Sequence, residues 1–134
     1  MKTTLITGGN SGIGAAIAGL LLSLGLELPR AKHENLFGYT ADLTDSASTA
    51  QVAAKIAATH QIDALVHNAG MILPNLLSDA VPEDILTLAQ LHLAAPMVLT
   101  QAVLSGMEER GWGRILFISS RASMGMPTRS AYSA

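Results

Sequence analysis

A glycine-rich turn near the start of the chain joins a β-prone run at residues 3–7 to a helical pattern. The apolar residues of that pattern recur at the spacing of one helix face: Ile13, Ile17, Leu20, Leu21 and Leu24. Where a strand passes through glycines into a helix, free N–H groups and the positive end of the helix dipole can bind an anion. The turn therefore predicts a parallel α/β fold with a phosphate site at this point.

Strands and helices alternate along the rest of the chain. The predicted strands are a stub at 26–28 and runs at 36–40, 64–67 and 114–118, while helices are predicted from Asp45 or Ser46 to about His60 and onward from Pro82. The strands are apolar on both faces, which is typical of a parallel sheet covered on two sides. We expect a doubly wound parallel sheet (Rossmann-like) in one domain over residues 1–134.

Composition excludes several classes of protein. The 134 residues are 49% hydrophobic, which is enough for one core, and the net charge of −2 without a block of like charge argues against a nucleic-acid partner. No run reaches the roughly 18 to 20 uninterrupted apolar residues of a membrane helix, so we expect no membrane partner and a cytoplasmic protein. The chain has no cysteine and no His or carboxylate cluster at ligand spacing, which predicts no metal site.

The glycines of the turn can each be given a physical role. Gly8 would permit the tight turn, Gly12 would let the backbone approach a pyrophosphate, and Gly14 would let the helix pack closely on the sheet. A purely structural glycine turn is the alternative, because an isolated glycine motif is a weak signal.

The order of four motifs resembles the short-chain dehydrogenase/reductase family. Residues 7–14 have the spacing T-G-x-x-x-G-x-G, and residues 67–70 are similar to the family's N-N-A-G. The run 113–120 is similar to its strand ending in the catalytic serine, and residues 132–134 to the start of its Y-x-x-x-K. The resemblance implies an oxidoreductase that uses NAD or NADP to move a hydride between the nicotinamide and a small carbonyl or alcohol substrate, and a homo-oligomer at full length.

The resemblance assigns cofactor contacts to three segments. They are Gly8, Asn10, Ser11, Gly12, Ile13 and Gly14 in the turn, Asp42 and Leu43 after the predicted strand 36–40, and Asn68, Ala69 and Gly70 after the strand 64–67. Asp42 is placed to accept a hydrogen bond from the adenine amino group, or it is a turn aspartate. The small residues at 68–70 leave room for the nicotinamide ribose at the carboxyl end of a strand.

The catalytic residues implied are Tyr132, Ser120 and His92. Tyr132 would be the general acid and base, and Ser120, favoured over Ser119 by motif register, would polarise the carbonyl. A free tyrosine titrates near pH 10 unless a positive charge lowers its pKa, and the family's lysine, four residues later, would lie past Ala134. We therefore expect a fragment of a longer domain that lacks its C-terminal part; a noncatalytic nucleotide-binding or interaction module is the alternative.

His92 occupies the position of an asparagine that, in the family, helps to hold a water in the proton relay. A histidine could do similar work through one ring nitrogen, or it could be a helix residue with a satisfied imidazole. Both interpretations stay open. His67 is expected to be structural.

Overall fold

The computed structural model describes residues 2–23 and 36–133. The predicted strand stub at 26–28 lies outside the described residues, as does Gly25, where the sequence predicts the end of the first helix. Arg30, which follows that stub and either suits a 2′-phosphate on the cofactor or is an exposed charge, lies outside them too.

Three parallel strands form the described sheet, in the order β1-β2-β3. They are β1 (Thr4–Ile6), β2 (Ala64–His67) and β3 (Arg114–Phe117). Leu65 of β2 is aligned with Leu5 on one side and Ile115 on the other. The carboxyl ends of all three strands therefore lie at one edge of the sheet, which is where open α/β sheets bind ligands.

Helices connect and flank these strands, as the Rossmann-like fold class predicts. They are α1 (Gly12–Ser23), α2 (Ser46–Thr59), α3 (Pro82–Ala89), α4 (Ala95–Glu109) and the short α5 (Ser130–Ser133), with a π-helical segment Gln90–Ala94 between α3 and α4 and a 3-10 turn Arg121–Met124 after β3. The Asp45 carboxylate caps α2 by accepting the Ser48 N–H at 2.6 Å.

The core lies between β2, α2 and α4. Leu65 is fully buried, and Ile56 of α2 packs with Leu99 and Val103 of α4 around it. Leu99 and Val103 lie four residues apart on α4, and Ile56 lies three residues after buried Ala53 on α2. Each helix therefore buries one apolar stripe against the sheet and against the other helix.

Residues 36–40 do not form the strand that the sequence predicts. Within the described chain they run beside the end of α2, where the Phe37 ring lies 4.6 Å from the His60 ring and the Tyr39 hydroxyl is 2.8 Å from His60 Nε2. The prediction was wrong because the aromatic side chains that raised the β-propensity are used for packing on α2.

The continuous helix Pro82–Glu109 has 28 residues and a mean hydropathy of 1.3 in its most apolar window, enough by length and composition to cross a membrane. Leu99, Val103 and Met107 of its second half are buried in the core. A helix whose second half buries its apolar stripe in this way is packed as a core helix.

The strand β3 carries exposed apolar side chains. Leu116 and Phe117 are 49% and 60% exposed. Within the described residues, β3 is hydrogen-bonded to β2 on one side, and no described strand pairs with its other side. The groove between β3 and α4 is lined by His92, Met97, Thr100 and Phe117 among others.

Candidate functional site

Two hydrogen-bonded loops meet at the carboxyl ends of β1 and β2. The Thr7 hydroxyl oxygen accepts the backbone N–H groups of Asn68 and Ala69, each at 3.0 Å. The Asn68 side-chain amide donates to the carbonyl oxygens of Thr7 at 3.1 Å and Gly8 at 3.2 Å. These bonds join the start of the glycine turn to the loop that follows β2.

The glycine turn is shaped by close backbone contacts on one side and is open on the other. Gly8 has φ +64°, and a Cβ there would lie 3.0 Å from Ala69 Cα; a Cβ on buried Gly14 would collide with the Gly8 carbonyl oxygen. Gly12 has φ +52° with no atom within 4 Å of its Cβ position. The close contacts require glycine at 8 and 14, and the space at Gly12 leaves the turn accessible.

The other residues of the turn face solvent. Asn10, Ser11 and Ile13 are exposed, and Ile13 keeps 62% of its surface despite being apolar. The Ser11 carbonyl accepts the Ala15 N–H at 3.1 Å, which begins α1. The free N–H groups of this first helical turn therefore lie at an open surface and fit a pyrophosphate group there.

Asp42 lies in a turn, and the strand that was expected to end there is absent. Its Oδ1 accepts the Thr44 hydroxyl at 2.6 Å and the Thr44 N–H at 2.9 Å, and these two bonds, the hydroxyl first, lower the pKa of the Asp42 carboxyl. Leu43 packs against the core, and its carbonyl oxygen accepts the Gln90 side-chain amide at 3.4 Å. Asp42 has the contacts of a turn aspartate and is still exposed to a ligand.

His67 is buried at the end of β2. Its Nε2 is 3.1 Å from the Thr100 hydroxyl, its ring lies 4.6 Å from the Phe117 ring, and its Nδ1 is buried with no hydrogen-bond partner among the described residues. Burial lowers the pKa of His67 from its ordinary value of 6.5, so the neutral ring is favoured. These contacts tie β2 to α4 and β3, as a structural residue would.

Ser120 begins the 3-10 turn after β3. Its Oγ accepts the Ala122 N–H at 3.2 Å. A hydroxyl that accepts in this way can still donate its own hydrogen, so the Ser120 hydroxyl keeps a hydrogen that it can give to another acceptor. Ser119, the neighbouring serine, is exposed.

Tyr132 and His92 are brought into contact by α5 and the π-helical segment. Their ring centroids are 5.6 Å apart in an edge-to-face arrangement, and His92 Nε2 is 3.1 Å from the Met71 carbonyl oxygen. A Cβ on Gly70 would lie 2.9 Å from His92 Cε1. The structure therefore gathers Gly70, His92 and Tyr132, which lie far apart in sequence, beside the end of β2.

The sequence assigned no role to Thr7 or to the Met71 carbonyl. Thr7 is the first residue of the T-G-x-x-x-G-x-G spacing, and that place at the end of a strand was the available signal. The contact of His92 with Met71 uses a backbone carbonyl oxygen, which every residue has. The amino-acid type at position 71 therefore gives no signal for this contact. Among the described residues, no group of three or more His, Asp or Glu side chains could hold a metal ion.

The fold and the glycine turn define an open parallel α/β protein of the dinucleotide-binding kind. A family model described as short chain dehydrogenase matches residues 2–134, so the chain belongs to this family. A 3-oxoacyl-[acyl-carrier-protein] reductase FabG of Rickettsia prowazekii (strain Madrid E) is 32% identical over 99% of this chain and 60% of its own length.

Solved structures agree with this assignment. A short-chain dehydrogenase from Streptomyces avermitilis has a TM-score of 0.87 at 29% identity, over 98% of this chain and 54% of its own. A metagenomic short-chain oxidoreductase in complex with NADP has a TM-score of 0.85 at 30% identity, over 98% of this chain and 67% of its own. The chain thus spans about 60% of the length of the Rickettsia relative.

Proposed function

We propose that this chain is the cofactor-binding and proton-transfer part of an NAD(P)-dependent oxidoreductase that interconverts a carbonyl and an alcohol. The observation that carries the proposal is the contact of Tyr132 with His92 beside Gly70, at the same edge of the sheet as the open glycine turn. A phenolic hydroxyl and a glycine turn that can hold a phosphate, both at one edge of the sheet, suit this chemistry.

The cofactor would be held by the glycine turn and the loop after β2. The N–H groups at the start of α1 would bind the pyrophosphate beside Gly12, where φ is +52° and the Cβ position is free. Asp42 would accept a hydrogen bond from the adenine, with Leu43 beside it, and Ala69 and Gly70 would leave room for the nicotinamide ribose. When bound, the nicotinamide supplies the hydride for reduction or accepts it in oxidation.

Two hydroxyl groups would act on the substrate oxygen. Ser120, whose Oγ already accepts the Ala122 N–H, would donate its hydrogen to the carbonyl oxygen and orient it. In the reductive direction the Tyr132 hydroxyl would transfer its proton to that oxygen, and in oxidation the phenolate would take the proton back. The choice between NAD and NADP is left open by the proposal.

We propose further that residues 1–134 belong to one NAD(P)-binding domain of a cytoplasmic protein. Its partner is a small carbonyl or alcohol compound, and neither nucleic acid nor membrane is proposed. Leu93 and Met97, 70% and 57% exposed on one helix, support a homo-oligomer in the natural protein.

Replacement of Tyr132 by Phe tests the proposal, with Tyr39→Phe as the matched control. The chain has two tyrosines, and Tyr39 bonds to Thr59 and His60 on α2. In the natural protein, Tyr132→Phe should remove nearly all NAD(P)H-dependent turnover of a panel of carbonyl compounds and keep the cofactor affinity, because one transferable proton is lost.

Tyr39→Phe should keep the turnover. A Tyr132→Phe variant that retains most of its kcat would exclude this residue as the acid. Cofactor binding without turnover in the unmodified protein would favour the noncatalytic nucleotide-binding module.

A further inference from the structure

The π-helical segment Gln90–Ala94 interrupts an otherwise regular helix at His92. Wider i→i+5 turns of this kind are rare, and they occur frequently at functional sites because they change the direction of side chains. Here the half-buried His92 ring reaches the loop after β2, where its Nε2 lies 3.1 Å from the Met71 carbonyl oxygen.

This contact fixes the protonation of one ring nitrogen. A backbone carbonyl oxygen can accept a hydrogen bond and cannot donate one, so His92 Nε2 must carry the hydrogen. The ring then lies over Gly70, with Cε1 at 2.9 Å and Nδ1 at 3.7 Å from the position a Cβ would take there. Met71 anchors one edge of the imidazole, and the absence of a side chain at Gly70 makes room for it.

The Tyr132 ring meets His92 edge to face. The centroids are 5.6 Å apart with an interplanar angle of 65°, which is a favourable aromatic geometry. The short helix α5 that carries Tyr132 has four residues, so contacts from outside this helix contribute to holding its side chain.

We propose that His92 is a positioning residue for Tyr132. Its imidazole, anchored by the Met71 carbonyl and seated on Gly70, fixes the orientation of the phenol ring toward the substrate oxygen. This role rests on the proposed oxidoreductase function. In it, His92 acts through direct contact with the Tyr132 ring and not by holding a water molecule, as the family's asparagine does.

The chain offers a matched control in a second histidine–tyrosine pair. His60 and Tyr39 lie edge to face at 5.8 Å, beside α2 and away from the loop after β2. Each tyrosine therefore reports on one histidine. NMR of the natural protein with labelled tyrosine rings follows both pairs at once.

Three variants are compared: His92→Ala, His92→Phe and His60→Ala. His92→Ala should shift the Tyr132 ring resonances and lower kcat by roughly 10- to 100-fold with little change in KM or cofactor affinity, because misorientation of a reacting group affects the chemical step. His92→Phe keeps an aromatic ring but loses the hydrogen bond to the Met71 carbonyl, so it should restore the kcat in part. His60→Ala should shift the Tyr39 resonances and leave kcat unchanged.

The two measurements separate failure of this inference from failure of the proposed function. Unmoved Tyr132 resonances in both His92 variants, or a His92→Ala enzyme with full kcat, would overturn the positioning role. A natural protein without turnover in which His92→Ala still shifts Tyr132 would overturn the oxidoreductase and support the ring contact. If His92→Ala does not fold, a His92→Phe variant with kcat as low as that of Tyr132→Phe overturns the ring role.

Discussion

Asn68 donates two hydrogen bonds to Thr7 across the ends of β2 and β1. The Asn68 backbone N–H donates to the Thr7 hydroxyl oxygen at 3.0 Å, and the Asn68 side-chain amide donates to the Thr7 carbonyl oxygen at 3.1 Å. The glycine turn begins at Gly8, the residue after Thr7, so the position of the turn relative to the loop after β2 depends on these two hydrogen bonds.

Removal of the Thr7 hydroxyl should destabilise the protein. Thr7→Val keeps the shape of the side chain but leaves the N–H groups of Asn68 and Ala69 without their acceptor. We expect the free energy of unfolding to fall by about 1 to 3 kcal/mol. Thr7→Ser keeps the acceptor and should lose less. Urea unfolding of both variants measures the difference, and equal losses would show that the hydroxyl has no special role.

A bulky side chain at Gly12 should block the cofactor. Gly12→Val fills the open space in the turn, and at φ +52° it is also strained. Gly111 has φ +62° and an equally free Cβ position, at the end of α4, so Gly111→Val is a control with similar strain away from the turn. Titration with NADH and NADPH by fluorescence should show lost affinity for the first variant alone. Undiminished affinity in folded Gly12→Val would contradict the assignment of the pyrophosphate site.

The two serines after β3 should differ in their effect on turnover. Ser120→Ala removes the proposed donor to the carbonyl oxygen, and we expect kcat to fall on the order of 100-fold. This loss should be smaller than that of Tyr132→Phe and larger than that of Ser119→Ala. Steady-state kinetics on one substrate gives the order, and a greater loss in Ser119→Ala would reassign the contact.

The stability of the protein should depend on pH through His67. Burial lowers the pKa of its folded-state ring below 6.5, so the unfolded chain binds a proton at a pH where the folded chain does not. The free energy of unfolding should therefore fall as the pH drops below 6.5 toward the folded pKa, and this contribution should be fully present above 6.5.

The measurement is the difference in unfolding free energy between the wild type and His67→Gln from about pH 7.5 to about pH 5. The wild type should lose more stability than the variant as the pH falls, since glutamine does not titrate. Parallel curves would show that His67 takes up its proton equally in both states.

Propensity and capping signals, which depend on neighbouring residues in the sequence, correctly predicted the strand at 64–67 and the start of α2. Ala64–His67 is a strand as expected, and the Asp45 cap starts α2 at Ser46. Residues 36–40 carried the same β-prone signal, yet Phe37 and Tyr39 pack on α2, and packing partners distant in sequence decide such cases. The site was predictable where a motif marks it, as in the glycine turn.

The contact of His92 with Met71 was not predictable in the same way. It needs the π turn, and the sequence Gln90–Ala94 contains no glycine that would announce a departure from the α-helix. Pro96, the second residue of α4, is the available local signal, because it has no N–H to donate to the His92 carbonyl four residues earlier and its ring would clash with that carbonyl in a regular α-helix. A departure from the α-helix near His92 is therefore marked in the sequence, whereas the contact of its ring with the Met71 carbonyl depends on the completed fold.

The π segment also makes the number of residues between α3 and α4 matter. The second half of the long helix buries its stripe against α2 and the sheet, and the first half packs near α5. A π turn takes in one residue more than an α turn, so the segment absorbs that residue while the buried faces of α3 and α4 stay in register. Deletion of one residue here should therefore give one regular α-helix in which Leu88 and Leu99 are still buried, and the main loss should be the direction of the His92 side chain toward the Met71 carbonyl.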